Sequence, residues 1–245
     1  MLLLIDAGNT RVKWALAADG APLGQWLEAG AVTHAELDRL PAAWQRHGVT
    51  RATVSNVAGA RLRDQLQRML PASAIDWFAS TPALAGVRNG YRSPSQLGCD
   101  RFAAAIGAHA LEPGKALVVA TCGTATTIDA LTADGVFLGG MILPGLGLMA
   151  ASLARNTAQL PHIVPGDIDA AGFADNTDDA ILSGCLSAQA GAIERAVGLL
   201  GANVCILSGG AAPYIAPVLA ARSYTLRMVD NIVLVGLHAA ATSRE

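Results

Sequence analysis

The chain opens on an apolar run, Leu2 to Ile5, that ends in Asp6 and gives way after a polar turn to Val12, Trp14 and Leu16 alternating with Arg11, Lys13 and Ala15. The first pattern predicts a strand buried on both faces, the second a strand buried on one. Asp19-Gly20 marks a hairpin, and a third antiparallel strand is expected over Leu23 to Ala29, before a helical stretch from His34 to His47. Ala52 to Val57 reads as a strand, Arg61 to Leu70 as a helix and Ala74 to Phe78 as another strand, an order of β-β-β-α-β-α-β.

Thr81 to Gln96 carries Pro82, Gly86, Gly90 and Pro94 without periodicity and is expected to be a surface loop leading into a helix from Leu97 to Leu111. Glu112-Pro113-Gly114 then breaks the chain, and Ala116 to Ala120 starts an apolar strand that ends in Thr121-Cys122-Gly123-Thr124. A strand follows over Val136 to Leu143, then helices over Leu146 to Ala158 and Thr177 to Leu200. Asn203 to Leu207 is a strand ending in Ser208-Gly209-Gly210, followed by a helix, a short strand near Tyr224 to Arg227 and a closing helix from Asn231.

The two halves share a register. At an offset of 115, Gly8 falls on Gly123, Asn9 on Thr124, and Asp19-Gly20 on Asp134-Gly135. Each half therefore runs strand, glycine turn, strand, Asp-Gly turn, strand, which an internal duplication explains economically. The division is expected between residues 113 and 114, giving lobes 1–113 and 114–245.

Composition narrows the class. The chain is 245 residues long, 52% hydrophobic and only 15% charged, so it can build sizeable cores and is not a disordered chain. Aromatic residues make up 4%, net charge is −2 and no basic run occurs, so neither a nucleic acid nor an anionic membrane surface is an expected partner. Cys99, Cys122, Cys185 and Cys205 lack CxxC spacing and read as reduced core residues of a cytoplasmic protein. MLLLI is too short for a signal peptide, and Pro144, Gly145 and Gly147 interrupt the longest apolar stretch.

The chemistry gathers at the turns. Gly8 lets backbone approach a ligand closely, while Asp6, Asn9 and Thr10 set a carboxylate, an amide and a hydroxyl at one strand end, a group suited to an anion or a metal-bound anion. Repetition at Gly123 predicts two glycine hairpins whose N–H groups hold the phosphates of one nucleotide in a cleft, with Ser208-Gly209-Gly210 lying against an adenosine moiety. Gly145-Leu146-Gly147-Leu148-Met149-Ala150 fits a dinucleotide-binding GxGxxA, but the antiparallel strands before it argue against a Rossmann βαβ unit. GxxxxGK[ST] and GxSxG are both absent from the sequence.

This arrangement resembles the sugar kinase and actin-like ATPase superfamily: an α/β, duplicated actin-like or ribonuclease H-like fold with two lobes around a nucleotide cleft. Within it, the chain is most similar to type III pantothenate kinases, including their Bvg accessory factor branch. The resemblance rests on DAGNT at Asp6 to Thr10, Tyr91, Leu97-Gly98-Cys99-Asp100-Arg101, GTATT from Gly123, GGMILPG and Asn176-Thr177, in the family's order.

The resemblance implies an ATP-dependent phosphorylation of pantothenate to 4′-phosphopantothenate, the first step towards coenzyme A. It makes Asp100 the general base for the pantothenate hydroxyl, and Tyr91, Gly98, Cys99, Arg101 and Thr177 the pantothenate-binding set. Asp6, Gly8, Asn9, Thr10, Lys13, Gly123, Thr124, Gly209 and Gly210 would bind ATP, with Asp6 orienting the hydration shell of Mg²⁺. A homodimer is also implied, with the helix around Thr177 near the partner. One position departs from the pattern: Thr121 stands where many members carry an Asp that binds a monovalent cation such as K⁺ or NH₄⁺. The competing reading is a nucleotide-binding regulatory accessory protein of the same fold; the presence of Asp100 favours the kinase.

Overall fold

The computed structural model describes residues 1–70, 74–163, 172–219 and 224–243. The chain forms two compact units, one of residues Met1–Leu111 with Ile232–Glu245 and the other of Glu112–Asn231.

Unit 1 begins with β1 (Leu2–Ala7), β2 (Arg11–Ala17) and β3 (Glu28–Thr33), an antiparallel meander in which Asp6 lies opposite Lys13 and Trp14 opposite Gly30. The third strand thus starts later than the expected Leu23 to Ala29. Backbone N–H groups of Ala21 and Gln25 bond locally to Ala18 and Pro22, so consecutive turns use up this stretch before Leu27 N–H reaches Leu16.

A 3₁₀ helix over His34–Arg39 leads into α1 (Leu40–Gln45), so the expected single helix from His34 to His47 is two pieces. Pro41, which has no N–H to donate, sits in the first turn of α1, where none is needed. β4 (Arg51–Asn56), α2 (Ala60–Met69) and β5 (Ala74–Trp77) follow, with β4 parallel to both β1 and β5. The sheet order is β3-β2-β1-β4-β5. Leu3, Ile5, Val12, Trp14 and Val54 on one face of this sheet share a core with Trp44 and with Leu62 and Leu66 of α2.

The expected loop from Thr81 to Gln96 contains a short hairpin instead: β6 (Ala83–Leu84) and β7 (Val87–Asn89), followed by a 3₁₀ turn over Pro94–Gln96. Ala85 and Gly86 link the strands with φ of +48° and +81°, the left-handed pair that a two-residue hairpin demands. α3 (Cys99–Leu111) then buries Arg101 to Ala108.

Unit 2 repeats the opening. β8 (Leu117–Cys122), β9 (Ala125–Leu131) and β10 (Val136–Pro144) form a meander, α4 (Leu146–Asn156) and α5 (Thr177–Leu200) follow, and β11 (Val204–Ser208), α6 (Ala212–Leu219) and β12 (Thr225–Met228) complete it. Its strands run β12-β11-β8-β9-β10, the mirror listing of β3-β2-β1-β4-β5, with the same antiparallel and parallel pairings. β1 and β8 even share one alternation of burial. The duplication is structural, but the first turn differs in length: β2 starts at Arg11 and β9 at Ala125, so the turn after β8 is a residue shorter than the turn after β1.

The closing helix α7 (Ile232–Thr242) belongs to unit 1, although it follows unit 2 in the chain. It is apolar all round and packs on α3, as a helix buried on every side must. The crossing is close enough that a Cβ on Gly107 would lie 2.7 Å from Ile232 O and 2.8 Å from Gly236 N, while one on Gly236 would run into Ala103 O. Two glycines thus set the distance between the helices that back the sheet.

Candidate active site

In unit 1 the sequence-named residues lie at the carboxyl end of β1 and in the turn beyond it, on β2, and from the segment after β7 to the start of α3. β1 ends with half-buried Asp6, and the turn beyond it exposes Asn9 and Thr10 while Gly8 N–H bonds to Arg11 O at 3.1 Å. Lys13, opposite Asp6 in the ladder, is half-buried rather than fully solvated. His34 Nε2 lies 2.9 Å from Gly8 O, so its N–H braces this turn.

Asp100 is half-buried in the first turn of α3, where a carboxylate complements the positive end of the helix dipole. Its Oδ1 accepts from Arg101 N–H at 2.8 Å. The carboxylate folds back over residue 98, where a Cβ would sit 2.6 Å from Oδ1, so glycine is the residue that leaves room for it. Burial pushes the Asp100 carboxyl above the ordinary carboxylate range, against the lowering by the Arg101 N–H and guanidinium.

Arg101 is 7% exposed, and a guanidinium taken that far from water needs partners. One is Tyr91: Nη1 donates to its hydroxyl at 2.8 Å, and the guanidinium carbon lies 5.7 Å from its ring centroid. Tyr91 is itself set by Asn89, whose Oδ1 accepts from Tyr91 N–H at 3.1 Å and whose Nδ2 donates to Pro94 O at 3.1 Å. The hairpin and 3₁₀ turn are therefore the mounting of Tyr91.

Unit 2 carries its own glycine turns. Gly123 and Thr124 are exposed, and Gly123 N–H bonds to Ala125 O at 3.0 Å, as Gly8 does to Arg11 in the longer turn. Gly209 has φ +97°, and a Cβ there would fall on the Cys122 carbonyl, 2.7 Å from its carbon, so only glycine lets the β11 end approach the β8 end. Ala211 N–H caps Cys122 O at 3.0 Å, and Gly210 is exposed beside it. Burial pushes the Cys122 thiol up to about 12, so it stays neutral behind the turn. Thr121 is half-buried, opposite Thr127 on one side and Ser208 on the other. Thr177 is exposed in the first turn of α5, whose cap Asn176 accepts from Asp179 N–H at 3.0 Å.

Comparison with known proteins decides the family. The model of the type III pantothenate kinase family matches residues 2–198. The chain belongs to the type III pantothenate kinase family. It is 56% identical to the type III pantothenate kinase of Herminiimonas arsenicoxydans over 98% of this chain and 97% of that protein. It is 57% identical to that of Janthinobacterium sp. (strain Marseille), again over 98% and 97%. Among solved structures, a Baf family protein from Campylobacter jejuni superposes with a TM-score of 0.64 at 19% identity, covering 99% of this chain and 98% of that one. A hexokinase of the ROK family from Thermus thermophilus gives 0.51 at 13% identity over 100% and 99%. These last two share the actin-like kinase fold, and membership of the pantothenate kinase family makes this chain a kinase.

Three residues that the sequence pattern does not single out hold the candidate site residues in place. Asn89 and His34 hold Tyr91 and the Gly8 turn, and Ser55 lies 3.3 Å from Cys99. Ser55 alone carried a signal, a hydroxyl on the buried phase of a strand. His34 and Asn89 act through backbone contacts that no spacing announces.

Proposed function

We propose that this kinase transfers the γ-phosphoryl group of ATP to the primary hydroxyl of pantothenate, yielding 4′-phosphopantothenate and ADP, the opening step towards coenzyme A. The observation that carries this reading is the half-buried Asp100 beside the Arg101–Tyr91 pair. Asp100 accepts the hydroxyl proton as that oxygen bonds to phosphorus and the bond to the ADP oxygen breaks. Phosphoryl transfer needs positioning and charge stabilisation more than strong proton abstraction, so a carboxylate suffices.

Arg101 and Tyr91 bind the polar end of pantothenate, the guanidinium supplying a fixed fork of donors, with Gly98 and Cys99 shaping the helix start and Thr177 adding a hydroxyl. Gly8, Asn9, Thr10, Lys13, Gly123 and Thr124 bind the phosphates of ATP, and Gly209 and Gly210 take the adenosine. Among the described residues no three metal-ligating side chains cluster, and a single half-buried Asp6 fits Mg²⁺, which keeps its waters and takes few protein ligands. Mg²⁺ would neutralise charge on the phosphates. With Thr121 in place of a carboxylate, a monovalent cation such as K⁺ or NH₄⁺ would lack a charged ligand here and be left with the threonine hydroxyl and neighbouring backbone carbonyls.

The protein works in the cytoplasm as a homodimer. Its cysteines at 99, 122, 185 and 205 are free, and among the described residues no helix is long and apolar enough to cross a membrane. Leu138 and Leu199, 54% and 67% exposed, support an apolar contact face that includes α5. Light scattering of the purified protein reads the subunit count directly.

The test of the activity is equally direct. Purified protein, MgATP and pantothenate should release ADP in proportion to pantothenate consumed. No release in sodium, potassium or ammonium salts would overturn the assignment.

A further inference from the structure

Ser55 is fully buried in β4, opposite Asp6 in the parallel ladder. A serine hydroxyl there must find a partner, since an unbonded buried hydroxyl is costly. Its Oγ lies 3.3 Å from Cys99 Sγ, and Cys99 Sγ in turn donates to Asn56 O at 3.7 Å. A thiol has one hydrogen. Given to the Asn56 carbonyl, it leaves sulfur as the acceptor of the Ser55 O–H, which fixes the direction of the chain: Ser55 to Cys99 to Asn56.

Both ends of this chain are anchored. Asn56 closes the β4 end, its Nδ2 donating to Gly59 O at 3.0 Å and its Oδ1 accepting from Ala58 N–H at 3.0 Å. Cys99 is the first residue of α3 and the immediate neighbour of Asp100. Burial pushes the Cys99 thiol up, so it keeps the hydrogen that the chain requires.

We infer that Ser55 and Cys99 are positioning residues for the phosphoryl transfer: together they pin the start of α3 to the end of β4, and so set the Asp100 carboxylate relative to the strand that carries Asp6. This rests on the reading of Asp100 as the base. Cysteine suits the position because its longer bonds span the gap to Ser55 without a charge, and alanine would leave the buried hydroxyl unpartnered. Cys99 Sγ is turned to Ser55 and Asn56, which leaves the backbone of this residue for its place in the pantothenate-binding set.

The test measures kcat and both KM values for Ser55→Ala, Cys99→Ala, Cys99→Ser and the double alanine variant, each also in an Asp100→Asn background, with thermal melts as a check on folding. Each alanine variant should lose about tenfold in kcat, the scale of a small misplacement at a reacting centre, with KM values within about twofold of the parent. The double variant should be no slower than either single one, because the pair acts as a unit. Cys99→Ser, which keeps a donor and an acceptor, should recover most of the loss. In the Asp100→Asn background none of these changes should slow the residual rate further. Unchanged kcat in folded Ser55→Ala or Cys99→Ala, or an equal further loss without the carboxylate, would overturn the inference. Near-parental activity of Asp100→Asn itself would instead remove the reading it rests on. Should Ser55→Ala fail to fold, the comparison of Cys99→Ala with Cys99→Ser decides the matter alone.

Discussion

Gly145 N–H donates to Thr124 O at 2.9 Å, and a Cβ on Gly145 would run into Gly123 O and lie 2.6 Å from Thr124 O. The residue after β10 is thus the backstop of the second glycine turn, and Gln189 of α5 holds it there by donating to Pro144 O at 2.7 Å. Gly145→Ala should push the turn outward. Overpacking of this kind costs about 1–3 kcal/mol. The expected result is a lower melting temperature together with a raised KM for ATP and an unchanged KM for pantothenate, read by calorimetry and steady-state kinetics.

Asp100 yields a prediction of opposite sign for activity and stability. Removing a general base typically costs about 100- to 10,000-fold in rate, so Asp100→Asn should lose most turnover. Burial raises the folded-state value of this carboxyl above its unfolded one, so ionising it opposes folding; that cost is absent below the unfolded value and grows as pH rises through the folded one. Asp100→Asn should therefore melt higher than the parent at neutral pH, and the gain should vanish in acid. Melting curves across pH check it, and the acid limb of kcat should lie above that of an ordinary aspartate.

The Arg101–Tyr91 bond predicts a specific failure of a mild substitution. Lysine keeps the charge but not the planar fork. Arg101→Lys should raise KM for pantothenate about tenfold with little change in KM for ATP, and Tyr91→Phe should do less. If the two act as a pair, the double variant will fall short of the product of the single effects.

Thr121 predicts the salt response. With no carboxylate at this position, exchanging Na⁺ for K⁺ or NH₄⁺ at constant ionic strength should leave the rate nearly unchanged. Thr121→Asp should introduce a difference between these salts, measurable as a cation-dependent KM for ATP.

What the chain discloses on reading follows from how local each feature is. β1, β2, β8 and β9 are legible because their apolar runs end in polar glycine turns, and the motif around Asp100 is legible because Gly98 sits beside a charged pair. β3 is misplaced because Pro22 and Gly24 divert its expected start into turns, and nothing in the residue types shows where pairing resumes. The hairpin that carries Tyr91 escapes notice because Ala85 occupies a left-handed position normally signalled by asparagine or glycine. Ser55 looks like any polar strand residue until Cys99, far away in the chain, is brought against it.

The return of α7 to unit 1 gives the molecule an order of completion that differs from its order of synthesis. Domains generally fold as the chain emerges, amino-terminal parts first. Here β1 to β5 and α3 leave the ribosome early, yet the helix that covers Ala103 and Gly107 is made after all of unit 2. Unit 2 is drawn from one continuous stretch, all of it made before α7. The nascent protein must therefore carry an uncovered apolar groove along α3 until α7 arrives, and ending translation before residue 232 would strand the sheet that bears Asp6 without its cover.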